Sequence, residues 1–355
     1  MSGNLGRVVI AKTSAHSSSA YGDLHRRLAA FVGWIATDSA RDDDLRKRRD
    51  NIRDSISAKA RGEGVIIRST PSSGSFSTRT GLRRHMLGHS EVEGQDVDVP
   101  FVVALQTKEE ERLDVLLPRF EKYARDAYPD TEREMTKSSI RLKFSDKVNF
   151  DLVPLFATQD PERQLLVRSD GERRETSVQK HVEFIRTRTQ KGASQPGRVC
   201  FNELVRLFKW WRCFQQSEAR VLKEIPSFLV NLLAAYAFDQ RSVQITYAET
   251  IADWMGILAR AVRKRTPIGF ADFGPIPSVE DGVIWAVFDP VNSQNNAADK
   301  WSGVACDELG DWLEESRDAM YEAIAAFDDE RETDGMSSLV RVFGNPIIDH
   351  SDPAA

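Results

Sequence analysis

Gly74-Ser75-Phe76, Asp96-Val97-Asp98 and Phe150-Asp151-Leu152 are the three short stretches whose reading decides the fold. The first ends a run of turn residues, Ser69-Thr70-Pro71-Ser72-Ser73-Gly74-Ser75, that follows a short strand expected over residues 64–68. The second opens an apolar run, residues 99–105, suited to the centre of a sheet. The third lies in one of two neighbouring strand candidates, residues 140–144 and 148–155, whose alternation gives one buried face. Between them Leu113, Leu116, Leu117, Phe120 and Tyr123 recur at helical spacing. Strand, helix and strand pair imply a small α/β sheet reaching to about residue 165.

On a strand, residues two apart share a face at roughly 7 Å. Asp96 and Asp98 therefore project together, and Asp151 on an adjacent strand could aim at the same point. Asp151 stands between Phe150 and Leu152, where a carboxylate needs a compensating partner. Mg²⁺ prefers oxygen ligands, commonly one or two carboxylates plus substrate phosphates. Two ions roughly 4 Å apart can clamp the attacking and leaving oxygens of an in-line displacement. On this reading Asp96, Asp98 and Asp151 hold two Mg²⁺ (or Mn²⁺) ions, and Asp151 accepts the proton of an attacking hydroxyl. Gly74 lets the backbone approach a triphosphate, and backbone N–H groups with the Ser75 hydroxyl bind its oxygens. Thr80 supports that turn or the first helical residues after it. Singly, each piece is weak, since Asp-x-Asp and Gly-Ser are common by chance. Their conjunction in this order carries the reading of a metal-dependent nucleotidyltransferase.

Composition narrows the partners. The 355 residues suffice for one large or two ordinary domains, and 41% hydrophobic with 29% charged residues is a soluble globular composition. No apolar run is long enough for a bilayer, and Met1 to Arg7 lacks a signal peptide's apolar segment, so the expected location is the cytoplasm with no membrane partner. Cys200, Cys213 and Cys306 form no CxxC pair, which points to reduced thiols and away from a zinc ribbon. A net charge of −5 argues against a large nucleic-acid footprint and favours small-molecule substrates.

Residues 1–16 are polar and read as loose. Tyr21, Leu24, Leu28, Phe31, Val32 and Ile35 mark a first helix. Residues 41–60 read as a long, mostly solvated helix carrying Leu45, Ile52 and Ile56, with Arg46-Lys47-Arg48-Arg49 as a solvated face. Residues 168–198 change composition and read as a crossover between lobes, with 186–191 an exposed basic loop. The remainder is mainly helical. Stripes run from Phe201 to Trp211, Phe228 to Phe238, Trp254 to Val262 and Leu309 to Phe327. Residues 283–288 read as a strand or buried extended segment, and 349–355 as a tail.

Gly74-Ser75-Phe76, Asp96-Val97-Asp98 and Asp151 resemble the active-site set of DNA polymerase β-like nucleotidyltransferases. The C-terminal half narrows the resemblance. Leu204-Val205-Arg206-Leu207-Phe208-Lys209-Trp210-Trp211 is similar to the lysine-then-tryptophan helix of oligoadenylate synthetases. Ile225-Pro226-Ser227-Phe228-Leu229-Val230-Asn231-Leu232-Leu233 resembles their Pro-x-Tyr-x-Leu-Glu-Leu-Leu segment. Phe288-Asp289-Pro290, Asn295-Asn296 and Trp301 resemble a third. The chain departs from that pattern at Asn231, where the family has Glu, and at Phe228, where it has Tyr. Together, over about residues 60–320, the pattern resembles a bacterial cGAS/DncV-like nucleotidyltransferase of CBASS anti-phage systems.

The resemblance implies an α+β (mixed α/β), bilobed enzyme with its active site in the cleft. The division it implies is an N-terminal helical segment (1–60), a nucleotidyltransferase core (61–170), a helical oligoadenylate-synthetase-like lobe (171–345) and a tail (346–355). It implies a cyclic di- or trinucleotide made from NTPs, ATP and/or GTP, with pyrophosphate release. It also implies that Lys209 and Ser227 contact phosphate and that Phe228 stacks on a base. Physically, Lys209 lies off the Phe201–Trp211 stripe and need not be core, Ser227 falls near a helix start, and Phe228 serves a base or the core equally well. The same site could make linear oligoadenylates or transfer nucleotides to RNA or protein. In related systems accessory proteins act on the synthase C-terminus, and the Asp-Pro-Ala-Ala end is open to that role.

Overall fold

A computed structural model describes residues 22–87, 90–92, 96–104, 115–194 and 199–352. In chain order the elements are α1 (Asp23–Ile35), α2 (Ser39–Gly62), β1 (Ile67–Ser69), α3 (Gly74–Thr78), β2 (His85–Leu87), β3 (Ser90–Val92) and β4 (Val97–Val103). Then come α4 (Leu116–Ala127), β5 (Glu132–Met135), β6 (Ile140–Lys143), β7 (Asn149–Ala157), β8 (Gln164–Val167), β9 (Arg173–Thr176) and α5 (Val178–Ala193). The chain closes with α6 (Phe201–Gln215), α7 (Arg220–Lys223), α8 (Ser227–Gln240), α9 (Tyr247–Arg263), α10 (Gly303–Asp328), α11 (Glu332–Phe343) and α12 (Pro346–His350). The loose segment 1–16, Tyr21, Leu105, Leu113 and the last three residues lie outside the described residues.

The sheet runs β1-β4-β7-β6-β5, with β8 continuing along β7 and β9 pairing β8. β4 and β7 are parallel, and every other pair is antiparallel. Two prolines fall inside these strands, and the pairing explains why they are tolerated. Along one edge of β7, β6 reaches Leu152 and β8 starts at Leu155, which leaves Pro154 in the gap between them. Beside β4, β1 pairs only Val102 and Val103, so it does not reach Pro100.

Two apolar cores form. Leu45, Ile52 and Ile56 of α2 pack with Phe101, Phe120, Phe150 and Leu152 against the sheet. Leu28 and Phe31 of α1 instead join the helical core of Phe201, Trp210, Trp254 and Met320. The polar face of α2 is less free than its composition implies. Arg48 donates to Asp146 at 2.6 Å and lies 4.7 Å over the Phe144 ring.

Several expectations need correction. Within the stretch read as a crossover between lobes the described residues are regular: the sheet continues through β9 and α5 follows at once, and residues 195–198 lie outside the described residues. Residues 186–191 are helical, and Arg188 is buried at 4% exposure between Asp239 and Asp272, over the Phe184 ring. Its charge reads as surface in a composition count, but two carboxylates and an aromatic face take it inside. Of residues 283–288, Trp285 to Phe288 are buried as expected, with isolated bridges at Val287 and Phe288 in place of a strand, and only Val283 and Ile284 depart by being exposed. The segment read as a tail begins as α12, and His350 stacks on Trp34 with centroids 3.9 Å apart.

Candidate active site

Parallel pairing of β4 with β7 sets Asp98 directly opposite Asp151. Antiparallel pairing of β7 with β6 sets Arg141 opposite Asp151 on its other side. Cross-strand neighbours lie roughly 4.5–5.5 Å apart at Cβ, so Arg141, Asp151 and Asp98 make one row across three strands. Asp96 immediately precedes β4 and completes the cluster. The Arg141 guanidinium holds Asp151 with two bonds, Nε to Oδ1 at 3.0 Å and Nη2 to Oδ2 at 2.9 Å. The same Nη2 reaches Asp96 Oδ2 at 2.8 Å, and Asn149 Nδ2 donates to Asp96 Oδ1 at 3.2 Å.

Asp98 has no such hydrogen bond among the described residues. Burial, reinforced by the charges of Asp151 and Asp96, pushes its carboxyl up to about 7. Among the described residues no three His, Cys, Asp or Glu side chains are gathered as a ready metal nest. The donor chemistry nevertheless fits Mg²⁺ or Mn²⁺: of three hard carboxylates on adjoining backbone, only Asp96 and Asp151 bond the Arg141 guanidinium, and the excess negative charge is what a divalent cation relieves.

The Gly74-Ser75 turn is the start of a short helix, α3, rather than a turn alone. Gly74 has φ +70°, and Arg79, at φ +56°, ends the helix. Thr78 Oγ1 donates to the Gly74 carbonyl at 3.1 Å and pairs with Thr80 Oγ1 at 2.9 Å. Helix α6 then fastens the end of this segment. Asn202 and Arg206 donate to the Arg79 carbonyl at 3.3 and 2.8 Å, and Lys209 Nζ to the Thr80 carbonyl at 3.1 Å.

Lys209 is therefore not the solvated residue that its place off the apolar stripe allowed. It is 5% exposed, because nearly every face of α6 is covered. Burial, with Arg212 nearby, pushes its ammonium down to about 7.

Gly74, Ser75, Asp96, Asp98, Asp151, Lys209, Ser227 and Phe228 all border one cavity of about 1390 Å³. Typical small-molecule pockets span roughly 300–1,000 Å³, so this cleft has room for more than one nucleotide. Ser227, the first residue of α8, accepts a hydrogen bond from Arg212 Nη1 at 3.3 Å. Phe228 is half-buried and meets His181 edge-on at 5.4 Å.

Sequence reasoning missed Arg141, Asn149, Arg174 and His181. His181 Nε2 lies 2.9 Å from Asp289 Oδ1, Asn295 donates to Asp289 Oδ2, and Arg174 donates to Asn295. Burial opposes the charge on Asp289, but the His181 bond and the backbone N–H of Val291 hold its carboxyl below the usual range. The Phe288-Asp289-Pro290 segment was a usable signal for that wall. Arg141 offered only its polar place in an alternating strand.

Residues 23–188 match the family described as the Second Messenger Oligonucleotide or Dinucleotide Synthetase domain. The chain is 27% identical over 219 residues to cyclic AMP-AMP-AMP synthase of Escherichia coli (strain MS 115-1), a match covering 60% of this chain. It spans 65% of that relative's length. Among solved structures, E. coli MS115-1 CdnC with ATP superposes with a TM-score of 0.73 at 23% identity, over 91% of this chain and 98% of that one. The CdnC:HORMA-deltaN complex from the same strain gives 0.70 at 23% identity, over 90% and 97%. These likenesses establish the fold. Among the described residues no helix is long and apolar enough to cross a membrane.

Proposed function

We propose that this chain, a cGAS/DncV-like nucleotidyltransferase carrying a Second Messenger Oligonucleotide or Dinucleotide Synthetase domain, joins NTPs into a cyclic di- or trinucleotide signal of anti-phage defence. The observation that carries the reading is the in-register Asp98–Asp151 pair, with Gly74 packed against Asp98 and Lys209 lining the same cavity. ATP is the first substrate to test, since the curated relative is named for a ring of three AMP units.

Asp96, Asp98 and Asp151 would hold Mg²⁺ or Mn²⁺, whose chemistry there is to offset charge on the phosphoryl oxygens. Gly74 lets the turn before Ser75 pack against Asp98, Ser75 offers the triphosphate a hydroxyl, and Lys209 offers it a cation. Asp151 takes the proton of the attacking ribose hydroxyl. That oxygen bonds the α-phosphorus as the bond to the bridging oxygen breaks and pyrophosphate leaves. Phe228 stacks on a base, and the size of the cleft lets the linear intermediate rebind before closure. Catalysis is then largely positioning and charge stabilisation. A HORMA-like accessory protein is a candidate partner, on the strength of the CdnC complex.

The test is incubation with all four NTPs and Mg²⁺ or Mn²⁺, phosphatase treatment, and mass identification of what survives. A resistant cyclic product is expected, and Asp96→Asn or Asp98→Asn should abolish it. Phosphatase-sensitive linear oligomers, or label trapped on RNA or protein, would replace the cyclic reading. Full turnover by either variant would remove the site itself.

A further inference from the structure

We infer that Arg141 is a positioning residue that acts as a built-in counter-ion, latching Asp96 to Asp151 and competing with divalent cations for their oxygens. The inference rests on the metal-site reading above and concerns how that site is loaded.

Every oxygen of Asp96 and Asp151 has a protein donor. Arg141 covers both oxygens of Asp151 and Oδ2 of Asp96, and Asn149 covers Oδ1 of Asp96. Asp98, on the same face, has none from the described residues. The arrangement is built into the sheet, because Arg141 is the register partner of Asp151 and Asn149 lies on the same strand two residues before it. Guanidinium and carboxylate match in side-on geometry, so the Asp151 pair is the stronger of the two contacts. The bond to Asp96 is single. A cation shared by Asp96 and Asp98 therefore meets the Nη2 charge at Asp96 Oδ2 while Arg141 keeps its grip on Asp151. Metal binding in the absence of nucleotide is weakened by that competition. The carboxylates, meanwhile, never face one another without a positive charge.

Mn²⁺ binding to the nucleotide-free protein tests the latch, with free Mn²⁺ followed by electron paramagnetic resonance and melting temperature read alongside. In Arg141→Gln, Mn²⁺ affinity should rise on the order of tenfold as a competing charge at contact distance is removed. Its melting temperature should drop without divalent ions and recover with Mn²⁺ by more than the parent gains. Arg141→Lys, which keeps the charge but loses the fork, should fall between the two and remains informative if the Gln variant does not fold. Binding by both variants that is no tighter than the parent's overturns the latch. Asp98→Asn placed in each background separates this failure from that of the site. If Mn²⁺ binding needs Asp98 but not the loss of Arg141, the site stands and the latch falls. If no form shows Asp98-dependent binding, both fall.

Discussion

A methyl group on Gly74 would lie 1.8 Å from Oδ2 of Asp98. No side chain fits there, and the φ of +70° independently favours glycine. Gly74 is thus the residue that allows α3 to close over the carboxylate row. Gly74→Ala should strain the backbone by about 1–3 kcal/mol and displace either α3 or Asp98. An error near 1 Å in positioning can cost about 100-fold in rate, so product formation should fall by at least that much. Product assays beside thermal melting would check it; a fully active Gly74→Ala protein would mean that α3 moves freely of Asp98.

Lys209 gives the site a pH signature. Its folded value is held down to about 7, against 10.5 for a free lysine. Between those values the unfolded chain binds a proton that the folded chain does not, so this group adds stability as pH rises from about 7 towards 10. A triphosphate beside the amine would draw the proton back. At pH 8 nucleotide binding should therefore take up close to ~1 proton, and affinity should weaken as pH rises above 7. Calorimetry in buffers of different ionisation enthalpy reads the uptake directly. Lys209→Met should abolish it, and an absence of uptake in the parent would sink the phosphate role for Lys209.

Arg188 shows where the sequence was legible and where it was not. The carboxylate pair and its flanking strand were readable because period-two alternation and an Asp between Phe150 and Leu152 are local signals. The helices at Phe201, Phe228 and Leu309 were readable for the same reason at period 3.6. Arg188, Arg141 and His181 act through partners 84, 10 and 108 positions away, and no local pattern announces those distances. Composition marked Arg188 as surface charge, whereas Asp239 and Asp272 neutralise it inside the helical lobe. Arg188→Ala should cost about 3 kcal/mol, at the low end for breaking a buried pair because both aspartates keep some contact with water. Denaturant unfolding measures it. A change within ~0.5 kcal/mol would return Arg188 to the solvated class.

Phe228 separates two roles that its geometry leaves joined. The ring lies edge-on to His181 at 5.4 Å, packs against the helical core and also borders the cavity. A stacked base is worth about 1–3 kcal/mol, a change of roughly 5- to 150-fold in KM. Apolar packing at a half-buried position survives a swap to leucine for less than ~1.5 kcal/mol. Phe228→Leu should then keep its melting temperature near the parent's while KM for the nucleotide rises roughly tenfold. Phe228→Tyr keeps the aromatic face and should leave both readings near the parent's. If Phe228→Leu melts early with an unchanged KM, the ring belongs to the core, and the base is held by other residues of the cavity wall.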